Sequence, residues 1–412
     1  MIVTDNILTC DVLKNEYDYV IIGAGISGLY TALLLEKKYK NPSIIILESE
    51  KEIGGRAKMH DFHGKPVVQG AGVGRTKKDK LLFALWESVI FPEPPEYFTP
   101  DITYLDFKPM TNITEILGFL KKQKLECRHQ ETFKSFFLRF FPEQEYKRFI
   151  WTNGFSDFEE ADVIDTIEDY GFEDNHPNAS FFRVDWDRIT SYLVHQLQCT
   201  DIFLHHRVLS VTKRKKDGSF LLVKGKNWEI KGKKVIWAGH MNGGYRTLGK
   251  KTEEIFGQIG YNVFLRYYIY LSKPIPQKYR KKTIYVKTSF QKTTIINDHI
   301  ILLSYSDNNN AKKTYQLLKE KKIEQEKKRK LFSFSQSSSQ KQEKKEDTIS
   351  FYWKHGTHFY RPLLQTWSNR QEFIIDAQMP YDGCFLVGEI ISRNQGWTEG
   401  ALESIHKIIT YL

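Results

Sequence analysis

Residues 17–48 read YDYVIIGAGISGLYTALLLEKKYKNPSIIILE, and this stretch decides the fold. YDYVII is a short apolar run rich in β-branched and aromatic residues. GAGISG follows it directly, and LYTALLLEKKY then has helical spacing. SIIILE (43–48) is a second apolar run. Strand, glycine turn, helix and strand in this order make a βαβ unit, the start of a parallel α/β domain. Gly23, Gly25 and Gly28 form G-x-G-x-x-G. The first glycine permits the tight turn, the second lets a diphosphate approach the backbone, and the third lets the helix pack on the strand. The helix N-terminus then offers free N–H groups and the positive end of its dipole to phosphate. Glu48 ends the second strand, 20 residues after Gly28, where an acid can accept hydrogen bonds from a ribose.

Working outward, residues 76–200 read as mostly helical (LLFALWESVIF, ITEILGFLKKQ, ETFKSFFLRFF, ADVIDTIEDYGF, DRITSYLVHQL). Period-2 segments return in RVLSVTK (207–213), SFLLVKG (219–225), KKVIWAG (233–239) and YNVFLRYYIYL (261–271). CFLVGE (384–389) and TEGALESIHKII close the chain as strand, glycine turn and helix. The expected organisation is a Rossmann-type dinucleotide-binding domain (1–75, 201–247 and 376–412) interleaved with an α+β substrate domain (76–200 and 248–375). A Lys-rich, low-complexity stretch at 311–348 reads as a solvated insertion in the latter.

The chain's 412 residues leave room for two or three domains, and 14% aromatic residues exclude a disordered chain. The net charge is +11, but residues 312–347, with 12 Lys/Arg and 6 Asp/Glu, supply +6 of it, so no nucleic-acid partner is expected. No window is apolar enough to span a membrane, and the first residues lack a signal peptide's pattern, so an intracellular soluble protein is expected. The cysteines are scattered and the histidine pairs lack further ligands at suitable spacing; neither a disulfide frame nor a metal site is expected.

ESEKEIGGRA (48–57) and GCFLVGEIISRNQGWTEGALES (383–404), together with GAGISG, resemble the motifs of the FAD-dependent amine oxidase superfamily, in the same order. RVLSV and KKVIWAG match its weaker strands. The resemblance implies non-covalent FAD: Cys384 stands inside the closing strand, away from the position of the flavin-linked cysteine in some relatives. It implies Gly23, Ala24, Gly25, Ser27 and Gly28 at the diphosphate and Glu48 at the adenosine ribose. Arg56 and Glu389 should lie near the phosphates, ribityl chain or flavin edge. Gly70, Gly72 and Val73 should lie along the isoalloxazine, Val208 at the adenine, and Trp397 and Thr398 at the start of the flavin-facing helix.

The implied reaction is oxidation of an amine or amino acid by hydride transfer to flavin N5, with dioxygen as acceptor. Trp397 should form one wall of an aromatic box, and Tyr360, His358 or Trp353 the other. Arg75, in G-x-x-R, either anchors a substrate carboxylate or plays a structural or solvated role. The strand 260–271 carries Asn262 or Arg266, depending on register, where many relatives carry a catalytic lysine. Alternation sets Asn262, Phe264, Arg266 and Tyr268 on one face. That departure leaves open a desaturase-like or porphyrinogen-oxidase-like reaction, and a non-catalytic flavoprotein scaffold.

Overall fold

The computed structural model describes residues 13–89, 93–128, 130–213, 220–241, 244–279, 282–320 and 347–412. β1 (Glu16–Ile22), α1 (Ile26–Lys38) and β2 (Ile44–Leu47) form the opening βαβ unit. β1 is apolar along most of its length because it is central. It pairs in parallel with β2 on one side (Ile21 with Ile46) and with the strand Glu229–Trp237 on the other (Val20 with Val235). A strand covered on both faces needs apolar side chains on both.

The sheet built on β1 has seven strands. Its order is Ser210–Lys213, Leu221–Lys224, Glu229–Trp237, β1, β2 and Thr200–Phe203, and Cys384–Leu386 also pairs with Glu229–Trp237. Side chains at Ile21, Ile44 and Ile46 pack beneath α1, the helix Trp186–Gln196 and the closing helix Thr398–Ile408. Val20, Ile22 and Ile45 face the opposite way, toward Phe256 and Phe373. This alternation gives the strands two apolar cores.

A second, six-stranded sheet runs in the order Asp347–Tyr360, Ile259–Tyr270, Ile300–Asp307, Lys292–Ile295, Lys282–Val286 and Asp101–Leu105. The helix Asn308–Lys319 packs on it through Ala311. Residues 311–320, read from sequence as part of a solvated insertion, thus hold most of a packed helix, and Asp347 already begins a strand. Residues 321–346 of that insertion lie outside the described residues.

Beside this sheet the helices Ile113–Gln123, Phe133–Phe140, Glu143–Asn153 and Val163–Asp169 enclose Phe133, Phe136, Phe137, Phe149, Phe158 and Phe172. Burying each such ring contributes about 1.5–3 kcal/mol. The helix Glu143–Asn153 was not anticipated. Its sequence, EQEYKRFIWTN, shows a thin apolar stripe, with Tyr146 and Phe149 facing the cluster. Gly154 ends it in the left-handed region at φ 76°.

Candidate functional site

β1 delivers the chain into the turn at Gly23 (φ 111°), whose N–H bonds the Leu47 carbonyl at 2.9 Å. A Cβ on Gly28 would stand 2.0 Å from the Gly23 carbonyl oxygen, so only glycine lets α1 start this close to β1. Gly25 caps α1 with no side-chain hydrogen bond, which leaves the N–H groups of the first turn for a ligand. Gly23, Gly25 and Ser27 line a large cavity at this point. Ala24 and Gly28, expected to line it too, do not. The Ala24 N–H donates instead to Glu48 Oε2 at 2.7 Å, and Gly28 is the packing glycine behind the turn.

Glu48 therefore holds the turn as well as facing the cavity. Its Oε1 accepts from the Glu50 N–H at 2.9 Å and the Ser49 hydroxyl at 3.2 Å. A carboxylate has about four acceptor positions, and a ribose hydroxyl can use the one left. Val208 also lines the cavity.

The cavity encloses about 1660 Å³ and reaches from the glycine turn to the start of the closing helix and on to the second sheet. Pockets for single small ligands run to about 300–1,000 Å³, so this one has room for a dinucleotide and a second molecule. Midway along it Arg56 Nη1 donates to Glu389 Oε1 (2.6 Å) and to the Gly356 carbonyl (2.8 Å). The Gly396 N–H donates to Glu389 Oε2 at 2.9 Å, and His358 Nδ1 contacts Oε1. Burial pushes the Glu389 carboxyl up, but the charges of His358 and Arg56 and these hydrogen bonds outweigh it and hold the carboxyl well below the usual range. Trp397 caps the closing helix without a side-chain hydrogen bond, so its free first-turn N–H groups start at the cavity wall, where Trp397 and Thr398 both lie. Glu399 turns away and accepts from the Leu81 and Leu82 N–H groups, capping the helix Lys80–Ser88.

Gly70, Gly72 and Val73 line the cavity opposite. Arg266 lies across this segment. Its Nε donates to the Gly70 carbonyl at 3.1 Å, and a Cβ on Gly72 would meet its Nη2 at 2.9 Å. Phe264, Arg266 and Tyr268 share the cavity face as alternation requires, and Asn262 does not. Pairing with the strand Asp347–Tyr360 slips in register between Asn262 and Phe264. The bulge turns Asn262 into a buried network with the Asp157 carbonyl, Thr357 Oγ1 and Asn308.

Three further candidate residues lie outside the cavity, Arg75 among them in the structural one of its two expected roles. Arg75 does not line the cavity. It is 3% exposed, its Nε and Nη2 engage Asp79 Oδ1 at 2.8 and 2.6 Å, and its Nη1 lies 3.2 Å from Asp174. Paired with two carboxylates and buried outside the cavity, the guanidinium is not presented to a substrate carboxylate. It stacks instead behind Trp397, with 4.0 Å from Cζ to the ring centroid. Tyr360 is buried against Phe373 and Arg370, outside the cavity. His358 is likewise spent on Glu389. Of the proposed wall residues, Trp353 does reach the cavity, its indole N–H fixed on the Gln69 carbonyl at 2.7 Å. Cys384 is buried within its strand and lines nothing, and burial pushes its thiol up to about 12.

Sequence reading missed the residues that finish the far end: Phe155, Asp157, Tyr170, Tyr285, Lys292 and Tyr305. They come from a helix-linking loop, a helix end and neighbouring strands. The period-2 pattern of KTTI, which sends Lys292 and Thr294 the same way, was the available signal for Lys292.

The fold sets one cavity against both the glycine turn after β1 and the second sheet. Residues 21–89 match the family described as NAD(P)-binding Rossmann-like domain. A triple mutant of putrescine oxidase superposes with a TM-score of 0.72 at 14% identity, covering 96% of this chain and 99% of its own. Cyclohexylamine oxidase from Brevibacterium oxydans gives 0.72 at 13% identity, covering 96% and 98%. A fatty acid isomerase from P. acnes gives 0.65 at 13%, covering 97% and 100%. A curated relative, the uncharacterized protein R188 of Acanthamoeba polyphaga mimivirus, is 33% identical over 61 residues, and the match spans 15% of this chain and 12% of that relative. The chain shares its overall fold with these solved structures.

Proposed function

We propose that the chain is a FAD-dependent oxidoreductase that oxidises the carbon bearing nitrogen in an amine or amino acid, with dioxygen as the final acceptor. The observation that carries this reading is the single cavity joining the Gly23–Gly28 turn to the start of the closing helix and continuing into an aromatic-walled space. Gly23, Gly25 and Ser27 bind the diphosphate, Glu48 the ribose, and Arg56 with Glu389 the linking region. Gly70, Gly72 and Val73 would lie along the ring, with Trp397, Trp353 and Arg266 lining the same cavity. FAD supplies the two-electron acceptor when bound.

The protein's own part is orientation and exclusion of water. Trp397 is held by Arg75 behind it and Trp353 by its bond to Gln69, so both walls are rigid where a substrate must lie close to the ring. The N–H groups opening the closing helix would stabilise negative charge on a flavin held in the cavity. Amine and amino-acid oxidation is tested by peroxide release and anaerobic bleaching of the flavin across amines, amino acids and polyamines. Bleaching by none of them, in a yellow protein, contradicts the amine reading and favours a different dehydrogenation on the same fold.

A further inference from the structure

We propose that the far end of the cavity, over Tyr305 and its two flanking cations Lys292 and Arg266, binds the carboxylate of the substrate. This rests on the oxidoreductase reading above and narrows its substrate to an acid-bearing molecule. Both head groups line the same cavity although they come from different strands. Arg266 is 5% exposed. Its guanidinium stacks on Tyr305, 3.9 Å from Cζ to the ring centroid, and spends one N–H on the Gly70 carbonyl. The Lys292 ammonium lies 5.2 Å from the Phe155 ring, 5.5 Å from Tyr285 and 5.8 Å from Tyr305.

Among the described residues neither head group has a carboxylate within ion-pair distance. Of the acids lining the cavity near this end, Asp157 is engaged by the Tyr170 hydroxyl and Asp174 by Arg75 and Lys78. Arg266 is buried and Lys292 half-buried beside it; two like charges so placed are costly unless an anion joins them, and aromatic faces offset only part, about 0.5–2 kcal/mol for each contact. Arg266 and Lys292 flank Tyr305 from the two strands paired with it, so an anion seated over this ring in the cavity meets both cations. Arg offers a fork and Lys a rotating point charge, which together match a carboxylate's two oxygens. The same pair repels a cationic diamine such as the putrescine bound by the similar oxidase.

The test is calorimetric titration of the purified full chain at pH 7 with three probes of one shape: 3-phenylpropanoate, 3-phenylpropanamide and 3-phenylpropylamine. Flavin content is read from absorbance. The carboxylate is expected to bind at least tenfold more tightly than the amide, and the amine more weakly than either. Lys292→Met should remove most of the carboxylate preference and leave amide binding unchanged, while Lys292→Arg retains it. Tighter binding of the amine in the wild-type protein, or an unaltered carboxylate-to-amide ratio in Lys292→Met, overturns the proposal. A colourless protein with the expected ratios would refute the flavin reading and keep this site; a yellow protein without them would do the reverse.

Discussion

Replacing Arg75 by methionine separates a structural prop from a substrate anchor. Arg75 and Asp79 are 3% and 2% exposed, and Asp174 shares the guanidinium. Burial already pushes the Asp79 carboxyl up, with Arg75 the main opposing influence. Methionine keeps much of the volume and removes the charge, leaving Asp79 buried and uncompensated. Breaking a buried pair from one side costs about 3–5 kcal/mol. The entropy of unfolding, about 2.1 cal/mol/K per residue, amounts to roughly 0.9 kcal/mol per degree for 412 residues melting as one unit, so Tm falls by roughly 3–6 °C. Differential scanning calorimetry of Arg75→Met, Asp79→Asn and the double variant measures this. The double variant should lose less than the sum of the singles, because each single change strands the other's partner. Trp397 loses its backing cation, so activity falls for every substrate alike. An unchanged Tm with a raised KM confined to carboxylate substrates would refute this reasoning and restore Arg75 as an anchor.

Other outcomes follow from the same geometry. Gly28→Ala places a methyl 2.0 Å from the Gly23 carbonyl and must open the turn; FAD affinity, measured by equilibrium dialysis, should fall more than tenfold while the second sheet stays folded. Glu389 contributes stability that is present above the unfolded carboxyl pKa of about 4.3 and is lost as pH falls toward its depressed folded value. Glu389→Gln should therefore flatten the acid limb of a Tm-versus-pH curve, and an unchanged limb would count against the Arg56–Glu389–His358 cluster. Burial, and the Arg266 charge after it, push the Lys292 ammonium down to about 8, so carboxylate affinity should hold below that pH and decline above it. The hydroxyls facing it, on Tyr285 and Tyr305, are pushed up by burial and do not titrate in that window. Burial also pushes up the neighbouring carboxyls of Asp157 and Asp307, so the Lys292→Met variant is the control that assigns the decline to the lysine. Affinity constant from pH 7 to 9.5 would exclude the lysine.

The glycine turn, Glu48 and the closing strand and helix were legible in the sequence because each is local. A few neighbouring residues fix a turn or a run, and the parallel sheet needs those runs apolar. The far end of the cavity was hidden because its residues meet only through the second sheet. Alternation placed Phe264, Arg266 and Tyr268 together, but nothing in NVFLR marks the bulge that turns Asn262 aside. Arg75 stood in a motif that suggested a ligand, yet Asp79 at i+4 and the distant Asp174 consume its charge. Tyr360 was misread for a similar reason: the strand ends just where its ring falls between Arg370 and Phe373 instead of facing the cavity. Lys292 looked like one more cation in a lysine-rich chain, and only the pairing of Lys292–Ile295 with Ile300–Asp307 sets it beside Tyr305.

The most direct measurement is the absorbance spectrum of the purified full chain before and after denaturation. The account predicts a flavin band stoichiometric with protein, released by denaturation as intact FAD and lost in Gly28→Ala. A protein that purifies without the band and takes up none from FAD-saturated buffer would contradict it.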